Sequence, residues 1–414
     1  MHAHVNQWVS FSGKNVLLLQ GPVGRFFNRV ANHLYSAGCG SVSKVNFNGG
    51  DAWFYTGPSV NFRASPSQWP QFCENFMTTR RIHAIMLFGD CRPVHKVAIA
   101  IAQRLGVEVW VFEEGYVRPN HITLERGGVN GFSQLPKDRA FYDQQAHVAL
   151  KPEQAVGPTF AVAAWQAVVY YTVAALGWPL FGHYQHHRWL SMLDGLLWCR
   201  SLYRKWYYGL KESGVQDRLV SQQNKAYFLV VLQASLDQQI LVHSPYNSVL
   251  EFMEEVVDSF AQYAPQDCLL VLKHHPMDRG YTDYTADMQR LTAKHGLQGR
   301  ALYIHDQHLP TLLSHARGVV VVNSTVGLSA IDHATPVKVL GDAIYDVPGL
   351  TFQGPLQEFW VAAQAWAPDM DLHAKFRNYV IAATQLNGSV YKPLPGASGS
   401  GTIWPIMENI QGYR

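Results

Sequence analysis

Residues able to bind phosphate follow two predicted strands in the second half of this 414-residue sequence. A lysine, two histidines and a proline surround the end of one strand, and an asparagine, a serine and a threonine close the other. In order, they are Lys273, His274, His275, Pro276, Asn323, Ser324 and Thr325. Lysine and histidine pair with phosphate oxygens, and hydroxyl and free N–H groups at a helix start cradle them. The alternatives are a charged loop at the first site and an ordinary helix cap at the second.

Carboxylates follow two other predicted strands. Asp237 comes shortly after one strand, and Glu113 and Glu114 end another, with Arg118 close behind. A carboxylate can act as a nucleophile or a base towards a sugar. Two carboxylates beside an arginine let one hold a proton while the other is ionised. The alternatives are a surface helix cap at Asp237 and a structural Glu–Arg ion pair.

Further polar or glycine positions at strand ends predict the acceptor side of a sugar-binding site. They are Gly21, Asn48, Asp51, Asp90, Arg92, Arg118 and, in the second half, Gln233. Other motifs are discounted: Gly21-Pro22-Val23-Gly24 lacks the spacing of a dinucleotide-binding turn, and no Walker lysine pattern occurs. Asp369-Met370-Asp371 is interpreted as a helix cap. We therefore expect no catalytic metal and no cofactor.

Alternating apolar runs and helical patterns must position these residues. The predicted strands are Asn15–Gln20, Val42–Phe47, Ala84–Gly89, Val107–Glu113, Tyr227–Gln233, Leu269–Lys273, Leu302–Ile304, Gly318–Asn323 and Val337–Leu340. Such alternation indicates an α/β protein with parallel sheets. We predict two Rossmann-like domains, 1–150 (acceptor side) and 219–390 (donor side), separated by an insertion at 151–218 and followed by a tail at 391–414. Ligands of such sheets bind at the carboxyl ends of strands, here in a cleft between the two domains.

The predicted insertion is unusually apolar and aromatic. Phe160–Phe181 carries no charge, and the residues after it are rich in aromatic and basic side chains. Three interpretations are open: a helical hairpin docked on the membrane interface, a helical insertion packed on the protein, and a membrane span. We favour the first. The residues expected near lipid headgroups are Trp189, Trp198, Tyr203, Arg204, Lys205 and Trp206.

Composition limits the possible partners and the compartment. A net charge of +3, with 15% charged residues, argues against a nucleic-acid partner. The five cysteines are scattered and never spaced as C-x-x-C, which favours a reducing compartment. The amino terminus lacks the pattern of a secretory signal. We expect a cytoplasmic protein, peripheral on the inner face of the cytoplasmic membrane.

Several segments, taken in order, resemble the capsule polysaccharide biosynthesis family, and within it the KpsS-like β-Kdo transferases. They are LLLQGPVGRFFNRVANHL, VNFNGGD, LFGDCRPVHKVAIAIA, VFEEGYVRPNHITLERGGVNGFS, LQASLDQQI, VLKHHPMDRG and VVNSTVGLSAIDHATPVKVLG. The resemblance implies a GT-B-like retaining glycosyltransferase that transfers Kdo from CMP-Kdo to a lyso-phosphatidylglycerol acceptor. That transfer would start the linker of a capsular polysaccharide.

The resemblance also implies roles for individual residues. His275 with Pro276 and Ser324 with Thr325 would bind CMP, while Glu113-Glu114-Gly115 forms the acidic segment. Asp237 would be the nucleophile and Glu114 the acid/base group. Partners would be CMP-Kdo, a phosphatidylglycerol-type lipid, the inner membrane surface and other capsule assembly or export proteins. Transfer from another sugar nucleotide, or a non-catalytic glycolipid-binding export subunit, are the alternatives.

Overall fold

The computed structural model describes residues 11–184, 194–235, 238–397 and 400–404. The chain divides into two compact units: Met1–Leu135, His147–His187 and Arg377–Arg414 form the first, and Pro136–Ala146 and Arg188–Phe376 form the second. Asp237, the predicted nucleophile, and Trp189 lie outside the described residues.

The strands and helices alternate along most of the chain. In chain order the strands are β1 (Asn15–Leu19), β2 (Ser41–Asn46), β3 (Ser59–Asn61), β4 (Ala84–Phe88), β5 (Glu108–Glu114), β6 (His121–Arg126), β7 (Tyr227–Val231), β8 (Leu269–Lys273), β9 (Ala301–Ile304), β10 (Gly318–Val321), β11 (Val337–Val339) and β12 (Gln385–Asn387). The helices are α1 (Phe26–Ser36), α2 (Gly49–Trp53), α3 (Trp69–Thr79), α4 (Pro93–Leu105), α5 (Arg139–Asp143), α6 (Phe160–Leu176), α7 (Asp194–Lys211), α8 (Val215–Ser221), α9 (Gln238–His243), α10 (Val249–Tyr263), α11 (Thr285–His295), α12 (Leu309–His315), α13 (Val326–Asp332), α14 (Leu356–Ala362) and α15 (Met370–Thr384). Short 3-10 turns occur at Pro66–Gln68, Asn130–Phe132, Trp178–Leu180 and Pro276–Asp278.

The first unit is built on a sheet whose strand order, within the described residues, is β12-β6-β5-β4-β1-β2-β3. The strands from β5 to β3 are parallel, whereas β6 pairs antiparallel with β5 and β12 pairs antiparallel with β6. The central strands are long apolar runs because helices cover both faces of the sheet. Polar residues that follow β1, β2, β4 and β5 therefore lie at one edge.

The second unit is built on a parallel sheet of strand order β11-β10-β7-β8-β9. Every residue of β7 and β10 is buried. One of its largest covering helices is α10, which begins where the Ser248 hydroxyl accepts the N–H of Glu251 at 3.1 Å. The carboxyl ends of β10, β7, β8 and β9 lie side by side and carry the predicted phosphate-binding residues.

The predicted α/β class is confirmed, and every strand predicted from an apolar run is present. Three further strands, β3, β6 and β12, were not predicted. The interpretation of Asp369 as a helix cap is also confirmed, because its Oδ1 atom accepts the N–H groups of Asp371 and Leu372, both at 3.1 Å, at the start of α15.

The structure divides the chain differently from the predicted boundaries. Residues 377–397 return to the first unit because β12 pairs with β6. The predicted central insertion is shared, since α6 belongs to the first unit and α7 to the second. Helices occupy both parts of the predicted insertion, and its docking on a membrane stays a prediction. Of the helices in the described residues, none combines the length and the apolar character that crossing a membrane requires.

Candidate functional site

The predicted donor residues follow neighbouring strands of the second sheet. Asn323 follows β10, Gln233 follows β7, and Lys273 is the last residue of β8. The Gln233 Nε2 atom donates to Asn323 Oδ1 at 3.0 Å, and Asn323 Nδ2 donates to the carbonyl oxygen of His243, also at 3.0 Å. The first bond links the residues that follow β7 and β10, and the second links Asn323 to the end of α9. Gln233, predicted on the acceptor side, thus lies beside the predicted donor residues.

The Ser324–Thr325 turn leads into α13. The Ser324 Oγ atom accepts the N–H of Val326 at 3.3 Å, and the carbonyl of Ser324 accepts the Tyr345 hydroxyl. A Cβ atom at Gly327 would lie 2.2 Å from that hydroxyl, so the turn requires glycine there. Thr325 is the N-cap residue of α13, but its side chain caps no described N–H group. The half-buried turn can therefore still offer a hydroxyl group and N–H groups to an anion.

Lys273 is buried, with 4% of its surface exposed, beside other charged groups. Burial lowers the pKa of its ammonium group, while the Asp306 carboxylate opposes that shift and Arg279 adds to it. Arg279 Nη1 donates to Asp306 Oδ1. The Glu212 carboxylate opposes the shift as well, so Lys273 and Arg279 share this region with two carboxylates, Asp306 and Glu212. An ammonium group and a guanidinium group at the end of β8 are groups that can pair with phosphate oxygens.

The two adjacent histidines have different surroundings. His274 is buried, its Nδ1 atom lies 2.6 Å from the Tyr303 hydroxyl, and burial together with His305 lowers its pKa to about 4. It is therefore neutral near pH 7. His275 is half-buried and caps the Pro276–Asp278 turn, its Nδ1 atom accepting the N–H of Met277 at 3.2 Å. That bond places the ring proton of the neutral imidazole on Nε2.

Asp278 holds the segment that precedes Asp237. Its carboxylate accepts the N–H of Ser235 at 3.0 Å, the Ser235 hydroxyl at 2.9 Å and the Thr282 hydroxyl. Asp278 is only 3% exposed, so these bonds are made away from water. The loop after β8 and the loop after β7 are therefore fixed to each other immediately before the predicted nucleophile.

Glu212 and His305 connect the end of α7 to the end of β9. The Glu212 carboxylate accepts the N–H of His305 at 2.9 Å, and its Oε1 atom lies 2.6 Å from His305 Nδ1. The Tyr208 ring stacks on the His305 ring with 3.4 Å between their centroids. Burial acts to raise the pKa of Glu212, but the hydrogen bonds from His305 outweigh it and the pKa lies below its usual value.

In the first unit, the two adjacent glutamates are also distinguished by their surroundings. Glu114 forms an ion pair with Arg118 at 2.9 Å and accepts the Tyr391 hydroxyl at 3.1 Å. Glu113 accepts the N–H of Glu114 at 2.9 Å and lies among Arg92 and Asp90. Burial is the main cause that raises the pKa of Glu113 to about 7. Glu113 can therefore both hold and release a proton near neutral pH, while Glu114 forms the ion pair considered from the sequence.

Asn48 and Asp51 do not line an accessible surface, which corrects the prediction that they face an acceptor. Both are at most 4% exposed. Asn48 caps α2 by accepting the N–H of Asp51 at 2.9 Å, and it donates to the Tyr170 hydroxyl at 2.7 Å. That hydroxyl donates to Asp51 Oδ1 at 3.0 Å. Their bonds attach α6 to the edge of the first sheet.

Asp90, Arg92 and Gly21 also hold backbone in place. The Asp90 Oδ2 atom accepts the N–H of Val129 at 2.9 Å, and Arg92 Nη1 donates to the carbonyl of Gln20 at 3.0 Å and that of Gly21 at 3.3 Å. A Cβ atom at Gly21 would lie 2.8 Å from the Phe27 ring. Asp90 is buried, whereas Gly21 and Arg92, which lies beside Glu113, are half-buried and retain surface for a ligand.

Known proteins similar to this chain agree with the sequence resemblance. The model of a family described as capsule polysaccharide biosynthesis protein matches residues 83–391. The Escherichia coli capsule polysaccharide export protein KpsS is 41% identical over 388 residues, which cover 92% of this chain and 98% of that protein. The chain belongs to the capsule polysaccharide biosynthesis family.

Other relatives of this family member extend over nearly the whole chain. The capsule polysaccharide modification protein LipB of Neisseria meningitidis serogroup B is 39% identical over 407 residues, 96% of each chain. Among solved structures, the Thermosulfurimonas dismutans KpsC beta Kdo 2,7 transferase aligns over 90% of this chain and 92% of its own, at 16% identity and a TM-score of 0.43.

Several residues that form hydrogen bonds around the carboxyl ends of β7, β8 and β9 in the second sheet were not among the predicted site residues. They are Glu212, Ser235, Asp278, Arg279, His305 and Asp306. His305 and Asp306 directly follow β9, so the rule that polar residues at strand ends form the site would have found them. Asp278 and Glu212 lie in a turn and after a helix, and no spacing in the sequence marks them.

Proposed function

We propose that this family member is a retaining glycosyltransferase that transfers Kdo from CMP-Kdo to a phosphatidylglycerol-type lipid, as the first sugar of a capsule linker. It would have the GT-B-like arrangement that the sequence resemblance implies. The identity of sugar and acceptor comes from that resemblance to KpsS-like β-Kdo transferases. The chemistry at the strand ends of the two units is consistent with it.

One observation carries the proposal: the predicted donor residues share one edge of the second sheet. Lys273 ends β8, His275 follows it, and the Ser324–Thr325 turn follows β10. Strands β8 and β10 are the two neighbours of β7. They offer an ammonium group, a ring N–H, hydroxyl groups and backbone N–H groups, which are the donors that a nucleoside phosphate accepts. Asp237 follows the strand between them in sequence.

The proposed reaction is a double displacement. The Asp237 carboxylate attacks the anomeric carbon of Kdo, the bond to the CMP phosphate breaks, and CMP leaves with the electron pair. Lys273, His275 and the Ser324–Thr325 turn stabilise the charge that develops on the phosphate. The acceptor hydroxyl then attacks the anomeric carbon and loses its proton to a general base. The bond between that carbon and Asp237 breaks, and its electron pair restores the Asp237 carboxylate. Two inversions retain the anomeric configuration.

We assign the base to Glu113. A general base works best when its pKa is near the working pH, and the pKa of Glu113 is about 7. Glu114 is instead paired with Arg118. In this scheme Arg92, which lies near Glu113, orients the acceptor.

The decisive experiment gives purified protein CMP-Kdo and a fluorescent lyso-phosphatidylglycerol in the presence of EDTA, with products identified by mass spectrometry. Addition of a single Kdo is expected. An Asp237→Ala variant should give no product while still binding CMP, because the phosphate-binding residues are intact. Transfer from a UDP- or GDP-sugar but not from CMP-Kdo would overturn the choice of donor.

A non-catalytic export subunit is the second candidate, favoured by the name of the Escherichia coli relative as an export protein. Capsule production in a strain carrying Asp237→Ala separates the two functions. Loss of capsule at normal protein abundance supports a transferase. Normal capsule in that strain supports an export subunit.

A further inference from the structure

Helix α7 carries a continuous exposed stripe of large apolar side chains. Trp198, Leu202, Trp206 and Leu210 follow each other at four-residue intervals and so lie on one face of the helix. Their exposed fractions are 39%, 71%, 62% and 61%. Single exposed apolar residues are ordinary, but a row of four along one helix marks an interaction surface.

Tyrosines widen the stripe and lysines flank it. Tyr203 and Tyr207 lie beside the row and are 60% and 40% exposed. Lys205 and Lys211 are both exposed, and the Lys211 Nζ atom lies 5.6 Å from the centre of the Tyr207 ring. From residue 197 to residue 211 the sequence contains no aspartate or glutamate. The surface is therefore apolar and aromatic at its centre, with positive charge at its edges.

The arginines of α7 lie on the face opposite the stripe, where they form hydrogen bonds within the protein. Arg200 Nε donates to the carbonyl of Gly280 at 2.7 Å, and Arg204 Nη1 donates to the carbonyls of Arg279 and Thr282, both at 2.9 Å. Arg204 also pairs with Asp283 at 3.1 Å. These bonds fix α7 to the loop after β8. They correct the expectation that Arg204 faces lipid headgroups, and they keep the apolar stripe turned outward.

We propose that this α7 stripe docks the protein on the surface of a lipid bilayer that contains anionic lipids, with the helix lying in the plane of the interface. Tryptophan and tyrosine are enriched where headgroups meet acyl chains. Lysines beside an apolar stripe add attraction to negatively charged headgroups. Residues 197–211 include lysines and no acidic residue, so the charge that complements this surface is negative. The two flanking lysines, Lys205 and Lys211, suit a helix that lies on a membrane.

The docking helix is connected to the candidate site through a short path. The loop that Arg200 and Arg204 hold contains Arg279 and continues from Asp278, which holds Ser235. Contact with a bilayer would therefore restrain the loops after β8 and β7 as well as α7. Amide hydrogen exchange should slow in residues 197–211 and 279–283 when vesicles are added. Slowing confined to other parts of the chain would overturn the assignment of the surface to α7.

The main test is flotation of the purified full chain with vesicles of phosphatidylcholine, with or without phosphatidylglycerol. We expect wild-type protein to float preferentially with the phosphatidylglycerol vesicles. Leu202→Glu and Trp206→Glu should each weaken binding by roughly an order of magnitude, because a charge replaces apolar surface at the interface. Replacing Lys205 and Lys211 by glutamine should weaken binding to anionic vesicles by roughly five-fold per lysine.

A matched control is Tyr263→Glu, a substitution of a 50% exposed aromatic residue at the end of α10. It should float like the wild-type protein, and circular dichroism should show that all variants are folded. Wild-type protein that does not float, or a Trp206→Glu variant that floats as well as wild type, would refute the proposal. A dimer that Trp206→Glu dissociates, without vesicle binding, would make the stripe an interface between copies. Because no sugar nucleotide is present, failure here is independent of failure of the proposed transfer reaction.

Discussion

Glu113 and Glu114 are neighbours in the chain, yet they meet different surroundings because successive side chains of a strand point to opposite faces. Glu114 reaches Arg118 and the Tyr391 hydroxyl, whereas burial dominates the pKa of Glu113. The sequence predicted that one carboxylate of the pair would be ionised and the other able to hold a proton. The environments in the structure assign the proton to Glu113.

This difference predicts the pH dependence of transfer. If Glu113 is the base, it must be ionised, so the rate should fall about tenfold per pH unit below its pKa of about 7 and level off above it. Glu113→Gln should lower the rate and remove this dependence. Glu114→Gln is the matched control and should keep the shape of the profile. A glutamine at 113 that leaves the profile unchanged would exclude Glu113 as the base.

A second residue-scale prediction concerns Asp278. In Asp278→Asn, the side chain loses its charge and one of its two acceptor oxygens, so the buried bonds from Ser235 and Thr282 are no longer charge-assisted. We expect the free energy of unfolding to fall by about 1–3 kcal/mol, and transfer to fall further because the segment before Asp237 loses its anchor. Chemical denaturation and initial rates measure the two effects. Asp287→Asn, at a surface pair with Arg290, should change neither.

Gly49 and Gly50 in α2 allow helix α6 to pack closely against α2. A Cβ atom at Gly49 would lie 2.5 Å from the carbonyl oxygen of Val173, and one at Gly50 would lie 2.6 Å from the Tyr170 ring. The Asn48-Gly49-Gly50-Asp51 segment, predicted to bind an acceptor, therefore serves to pack α6 on the first unit. Its polar residues bond Tyr170 and its glycines allow the close approach.

The prediction at this scale is that Gly49→Ala weakens the packing of α6. Because the new methyl group would meet backbone, we expect a loss of about 1–3 kcal/mol in the free energy of unfolding, with faster hydrogen exchange in α6. Gly209→Ala is a suitable control, since nothing lies within 4 Å of its Cβ position in α7. That change should stabilise the helix by about 0.5–1 kcal/mol. A Gly49→Ala protein as stable as wild type would show that α6 can shift without cost.

The sequence predicted the elements that their own residues stabilise, and it missed those that depend on contacts with distant parts of the chain. Strands β1, β7 and β8 are continuous apolar runs between helices, so their own composition marks them. Strand β12 is three residues long and exists because β6 offers it an edge, which no local pattern reveals. The donor residues were predicted because they directly follow strands, whereas Asp278 acts through a contact with Ser235 that only the folded chain creates. Asn48 and Asp51 were misassigned because a cap and a ligand-binding loop use the same residue types.

At the scale of the whole molecule, the carboxyl-terminal part of the chain completes the amino-terminal unit. Leu386 in β12 is fully buried in the core of the first unit, and Gln385 accepts the N–H of Tyr116 at 3.1 Å. Arg29 donates to the carbonyls of Ser389 and Ser400, both at 3.0 Å. The first unit is therefore assembled from both ends of the described chain.

This organisation predicts where core substitutions act. Leu386→Ala should cost about 2–5 kcal/mol, and the loss should appear as faster hydrogen exchange in β5 and β6, although residue 386 follows the second unit in the sequence. Leu270→Ala, an equally buried change in β8, should instead accelerate exchange in β7 and β8. Mass spectrometry of peptides from each unit measures both effects. Equal loss of protection in both units from Leu386→Ala would contradict the assignment of β12.

During translation, synthesis of the first unit begins before that of the second unit but is completed after it. The nascent chain contains the whole second unit once Phe376 has emerged, but the first sheet still lacks β12. Until translation passes Asn387, the outer edge of β6 stays unpaired, and such an edge can pair with other chains. Ribosomes that stall between these two points would therefore release chains whose exposed strand belongs to the part synthesised first.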